Sequence, residues 1–135
     1  MDIIATDTTT HANEGAVLEL RSAEGAALLQ ADGSPVTITL LGADSDIYVR
    51  ASNQLTNRAL RNRGKAQITA ESALTDQINL LAKAVTAWSG IGLGEESTPC
   101  TEENAKKLLR VAYIREQVSD FIADRANFTK ASPKN

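Results

Sequence analysis

The hydrophobic pattern of the chain changes period near Gly42. Upstream, Val36, Ile38 and Leu40 alternate with Thr37 and Thr39, the period-two spacing of a half-buried strand rich in β-branched residues. Asp32-Gly33-Ser34-Pro35 before it is turn chemistry. Ala16-Val17-Leu18-Glu19-Leu20 also has strand character, with Val17 on one face and Leu18 and Leu20 on the other. About 15 residues separate the two runs, so they predict a hairpin with a wide loop. A lone hairpin is marginal in water and must pack on helices or on another subunit.

Downstream the spacing is helical. Ile47, Ala51, Leu55 and Ala59 recur every fourth residue and draw one apolar stripe. Asp44, Ser45 and Asp46 suit a helix start, where acids and hydroxyls meet free N–H groups. Arg58, Arg61 and Arg63 suit its end, and Gly64 is a good stop. Leu74, Ile78, Leu81, Val85 and Trp88 then step by four, three, four and three. That heptad-like seam predicts an amphipathic helix capped by Thr69 or Ser72 and ended by Ser89-Gly90. Residues 90–100 read as a loop. Thr101 caps the next helix, which opens on Glu102-Glu103-Asn104 and turns Leu108 and Leu109 inward. The phase restarts near Tyr113, where Ile114, Val118, Phe121 and Ile122 form a second stripe with Arg115, Glu116, Asp120 and Asp124 outside. This is one kinked helix or two short ones.

Together these elements predict an α+β fold that is mostly α. A single domain spans 15–128, with a β-hairpin in 15–42 and a bundle of about four helices in 44–128. Residues 1–14 lack periodicity and residues 129–135 are polar with Pro133, so both predict flexible tails.

Size and composition fit that picture. The 135 residues are one ordinary domain. With 42% apolar but only 4% aromatic residues, the core must come mainly from Ala, Leu, Ile and Val. Cys100 is the only cysteine, which excludes an internal disulfide and a cysteine-based zinc site and suggests the cytosol. The opening MDIIATDTTT lacks the basic start and apolar run of a secretory signal. No stretch approaches the ~20 apolar residues of a membrane span. Net charge is −3, with blocks of alternating sign: −5 over 1–43, +3 over 44–65, −3 over 66–100 and +2 over 101–135. Opposite faces can therefore attract each other or a partner.

Candidate chemistry is sparse. His11 is the only histidine and lies in the expected N-terminal tail, so a metal site or a Ser-His-Asp triad would rest on that one residue without a supporting motif. Gly90, Gly92 and Gly94 do not make a phosphate loop. They follow a helix, lack the third glycine spacing and lack Gly-Lys-Ser/Thr. The pairs Glu95-Glu96 and Asp44/Asp46 sit where acids have ordinary reasons to be. Cys100 has no base placed beside it by any sequence feature. The basic run Arg58, Arg61, Arg63, Lys65 lacks the aromatic residues that stack on bases, which argues against nucleic acid. These readings predict a noncatalytic protein with no cofactor and no metal. Trp88 and Phe128 each end an apolar seam, where core packing and an interface anchor are compatible roles.

The second half resembles the tail-assembly chaperones of long-tailed bacteriophages. The resemblance is carried by Val85-Thr86-Ala87-Trp88-Ser89-Gly90-Ile91, by Pro99-Cys100-Thr101-Glu102-Glu103-Asn104-Ala105-Lys106-Lys107-Leu108-Leu109, by Ile114-Arg115-Glu116-Gln117-Val118, and by Phe121-Ile122-Ala123-Asp124-Arg125-Ala126-Asn127-Phe128. It covers about 45 residues. The 90–94 loop is glycine-rich where relatives often carry an Asp-Gly turn. The resemblance implies a protein made in the host bacterial cytoplasm and not expected in the mature virion. It implies binding to the tape-measure protein, and often to tail-tube subunits, during tail morphogenesis. The candidate partner-binding residues are Trp88, Ile91, Phe121, Phe128, Arg58 and Arg61. The alternative is a structural head–tail connector or tail-completion protein, which would form a ring or appear in purified particles. A homo-oligomer fits either reading, and no membrane partner is expected.

Overall fold

The alternation around Ile38 produces the centre of a sheet. In the computed structural model, which describes residues 1–62, 69–94 and 97–129, strand β1 (Ala16–Glu19) runs antiparallel to β2 (Thr37–Leu40), with Ala16 opposite Leu40 and Glu19 opposite Thr37. The connection between them is not an open loop. It folds back on itself in two tight turns closed by Gly25 N–H on Ser22 and Gly33 N–H on Gln30. Between the turns, Leu28 donates to Leu20, Leu20 to Val36 and Val36 to Leu28, a closed triangle of backbone bonds of 2.9–3.1 Å.

A third strand, β3 (Val85–Ser89), pairs with the other side of β2. This corrects the expectation that the sheet is only N-terminal and that the Leu74–Trp88 seam is one helix. The helix of that seam, α3 (Ala70–Ala84), starts at a Thr69–Ser72 capping box and stops at Ala84. Val85 is already extended, and a register shift sets Thr39 opposite Ala87 and Leu40 opposite Val85. Thr86 is the extra residue of this bulge, and its hydroxyl donates to the Thr39 carbonyl. Val85 and Trp88, three apart, therefore both reach the main core. A bulged strand has reproduced a helical spacing.

Four further α-helices bring the described residues to five, one more than the expected four: α1 (Thr9–Glu14), α2 (Asp46–Arg61), α4 (Glu102–Leu109) and α5 (Ala112–Ala123). The class remains α+β with helix predominant. Ser45 caps α2 and Thr101 caps α4, each accepting from a backbone N–H three residues on. The region after Thr101 is two short helices. Arg115 reaches back to donate to the carbonyls of Leu109 and Arg110, which the break would otherwise leave unpaired. The expected helix end at Arg63 and Gly64, and the tail from 130 onward, lie outside the described residues.

The main core joins the sheet to the helices: Ile38 and Leu40 with Ile78 and Leu81 of α3, Leu108 and Leu109 of α4, and Ile114, Val118 and Ile122 of α5. A second, smaller cluster holds Ala12, Ala16 and Phe128, with Phe121 packed against both. It overturns part of the expected N-terminal tail, because Ala12 is 1% exposed within α1.

The two cores meet at the β2–α2 junction. Leu41 N–H donates to Ala84 at the end of α3, Gly42 N–H to Ala12 in the last turn of α1, and Ala43 N–H to Ile122 near the end of α5. A Cβ on Gly42 would stand 2.9 Å from the Ala12 Cβ and 3.0 Å from two Phe128 ring carbons. Replacing Gly42 by Ala should therefore cost about 1–3 kcal/mol as overpacking. Urea unfolding checks this, and an unchanged midpoint would show that the junction has slack.

Candidate functional site

Helix α2 carries the expected stripe, yet none of its residues is buried. Ala51 and Leu55 are half-buried, while Ile47, Val49 and Leu60 are 51%, 42% and 60% exposed. A helix of this length usually hides one face. What α2 hides lies chiefly against α3, with a smaller contact to α1 and with Tyr48 packed on the main core. Burial pushes the Tyr48 phenol above its usual pKa, as expected for a ring held away from water.

Because α3 packs against both α2 and α4, a groove opens along its exposed side. The groove measures about 580 Å³ and has three kinds of lining. Ala51, Leu55 and Leu80 are apolar; Gln54, Asn57 and Asn79 are amides; Arg58, Arg61, Lys83 and Lys106 are cations beside Glu102. Local spacing explains the walls: Gln54, Arg58 and Arg61 step by four and three on α2, and Glu102 and Lys106 by four on α4.

Two ion pairs lace the helices around the groove. Arg58 lies 3.4 Å from Asp76, and Lys83 lies 2.8 Å from Glu102. The Lys83 ammonium holds the Glu102 carboxyl below its usual range, with a smaller contribution from Lys106. All four ion-paired side chains are about half exposed, so the pairs are weak and exchangeable. Arg61 and Lys106 make no ion pair among the described residues. The groove offers positive charge, amide groups and an apolar floor, which suits it to holding an anionic, partly apolar ligand.

The six candidate residues fall into three places. Arg58 and Arg61 line the groove. Trp88 lies near the end of β3 and packs on the main core, its indole N–H donating to the Thr98 carbonyl at 2.8 Å, and Ile91, two residues past the strand, is 6% exposed. Phe121 and Phe128 meet edge-on with centroids 5.6 Å apart, and Phe128 is 2% exposed. The second and third pairs are thus interior or half-interior packing. Sequence reasoning missed Gln54, Asn57, Asn79, Lys83 and Lys106. Their spacing on each helix was visible, but nothing local says that the three faces meet.

The remaining chemistry has structural roles. Gly90, with φ +84°, turns the chain off β3, and a Cβ there would stand 2.6 Å from the Gln30 side chain. Cys100 is half-buried, and burial pushes its thiol up, away from the reactive thiolate. His11 Nδ1 lies 3.5 Å from Glu14 within α1. Among the described residues no cluster of three His, Cys, Asp or Glu could hold a metal, and no helix is long and apolar enough to cross a membrane. Arg63, Lys65, Glu95 and Glu96 lie outside the described residues.

Asp44 and Asp46 are fasteners. Asp46 exchanges two hydrogen bonds with the Asn13 side-chain amide. Asp44 accepts from Arg125 at 2.6 and 2.9 Å and from Thr8 at 2.6 Å, tying both chain ends to the start of α2. Its carboxyl is held below the usual range, chiefly by Arg125 and then by Thr8. A lowered folded pKa stabilises fully above the unfolded value of about 3.9 and is lost as pH falls through the folded value. Asp44→Asn should therefore lower stability at neutral pH, and the gap to wild type should close at strongly acid pH. Urea midpoints across pH check this, and a gap independent of pH would contradict it. No family model, curated protein or solved structure matches the chain, so the reading of this site rests on its own residues.

Proposed function

We propose that this protein is a phage tail-assembly chaperone that binds the tape-measure protein during tail morphogenesis in the host cytoplasm. The observation that carries the reading is α2, a 16-residue helix with no buried residue, standing beside an open groove. Its Ile47, Val49 and Leu60 are exposed at separate points of the helix, and the groove adds the apolar Leu55 and Leu80 beside charged side chains. A long helical protein with apolar stripes aggregates unless those stripes are covered, and helix-in-groove contacts cover them reversibly. The motif around Trp88 and from Thr101 to Phe128 supports the same reading. In this fold it supplies the scaffold, since β3, α4 and α5 hold the core on which α2 rests.

The test is co-expression with a fragment of the tape-measure protein from the same phage. The fragment should stay soluble and co-purify with this chain. Unchanged aggregation with no complex overturns the reading, as does a stable ring of this chain in purified particles, which would mark a structural connector.

A further inference from the structure

We propose that the groove between α2, α3 and α4 binds an acidic amphipathic helix of a partner protein. Apolar side chains of that helix would lie on Leu55 and Leu80, and its carboxylates on Arg58, Arg61 and Lys106. The inference rests on the chaperone reading only for the identity of the protein that carries the helix.

Charge complementarity selects the occupant. Among the described residues four cations line the groove against one carboxylate, Glu102, which Lys83 already occupies at 2.8 Å. Arg61 on α2 and Lys106 on α4 make no close ion pair among the described residues, Lys106 acting on Glu102 only at longer range, and they stand on different helices of the groove. Arg58 shares its charge with Asp76 at 3.4 Å across half-exposed side chains, a contact that a ligand carboxylate can replace. The whole chain is net negative, so this basic surface is a local departure from its average. It attracts acidic partners at the encounter stage.

The floor distinguishes a helix from other anions. Single-stranded nucleic acid is held by phosphate contacts together with aromatic platforms, and the groove is lined by leucines, amides and cations with no aromatic residue. The α2 shaft runs about 24 Å at 1.5 Å per residue, so a helix laid along it meets Ala51, Leu55 and Arg58 in successive turns. Gln54, Asn57 and Asn79 offer donors to side-chain carboxylates at the rim.

The experiment uses two labelled synthetic peptides of about 20 residues with identical leucines at helical i, i+4, i+7 spacing. One carries Glu at the flanking positions and the other Lys. Fluorescence anisotropy is titrated with the full chain at low salt and at about 0.5 M salt. The Glu peptide should bind saturably and weaken with salt, and the Lys peptide should not saturate. Arg58→Glu with Arg61→Glu should weaken the Glu peptide about tenfold, the size expected when several exposed charge contacts are reversed. Lys106→Glu, on the opposite helix, is the second variant and should weaken it in the same direction. Circular dichroism confirms that each variant is folded.

Equal binding of both peptides, no binding of either, or undiminished binding by both folded variants overturns the inference. So does a mixed-sequence single-stranded oligonucleotide that outcompetes the Glu peptide. If the peptide results hold but the Arg58→Glu, Arg61→Glu protein still keeps the tape-measure fragment soluble as well as wild type, the tape-measure protein is not the carrier of the groove's helix and the chaperone reading stands. If the peptide results hold and no tape-measure complex forms, the chaperone reading falls and the groove assignment stands.

Discussion

Three consecutive backbone N–H groups, those of Leu41, Gly42 and Ala43, take carbonyls from the ends of three different helices. The last carbonyls of a helix have no partner within it, and a buried unpaired carbonyl is costly. Here Ala84 of α3, Ala12 of α1 and Ile122 of α5 find their donors side by side on the segment that leaves β2. The geometry works because residue 42 has no side chain, which lets Ala12 and the Phe128 ring close over it. The next residues, Asp44 and Ser45, then bind the chain ends and cap α2. One short junction therefore sets the sheet, the helical ends and the starting point of α2 together.

That constraint also explains why α2 is so exposed. Its first turn is fixed by the Ser45 cap and by Asn13 on Asp46, and Tyr48 anchors it to the core. Farther along, the helix leans on α3 through half-buried Ala51 and Leu55 and an exposed Arg58–Asp76 pair. A helix held firmly at one end and loosely along its shaft can leave a groove open without costing the core its packing. In the proposed chaperone the junction gives rigidity and the shaft gives a surface, a division that suits transient cover of another protein's helices.

Much of this was legible where the signal is local. The Val36–Leu40 alternation, the Asp44–Ser45 start and the Thr101 cap depend on neighbours a few residues away, and each marks a real element. Where the cause is distant, the sequence misleads. Leu81, Val85 and Trp88 continue a helical seam, but Val85 onward pairs with β2 and a bulge at Thr86 restores the spacing. Helix α1 has no apolar period of its own. Its reason is Gly42, some thirty residues on, where Ala12 is buried. The stripe on α2 was visible, but its exposure was not, because burial depends on what packs opposite. The groove's cations sat in plain view as separate charges on three helices.

Native-state hydrogen exchange of the Leu41, Gly42 and Ala43 amides tests the dependence on this junction most directly. These amides should exchange as slowly as those of Ile38 and Leu40, through opening of the whole domain, because no smaller unit can release all three helix ends. Exchange as fast as that of Glu24, in the exposed turn closed by Gly25, would mean that the junction opens on its own and that the fold does not depend on it.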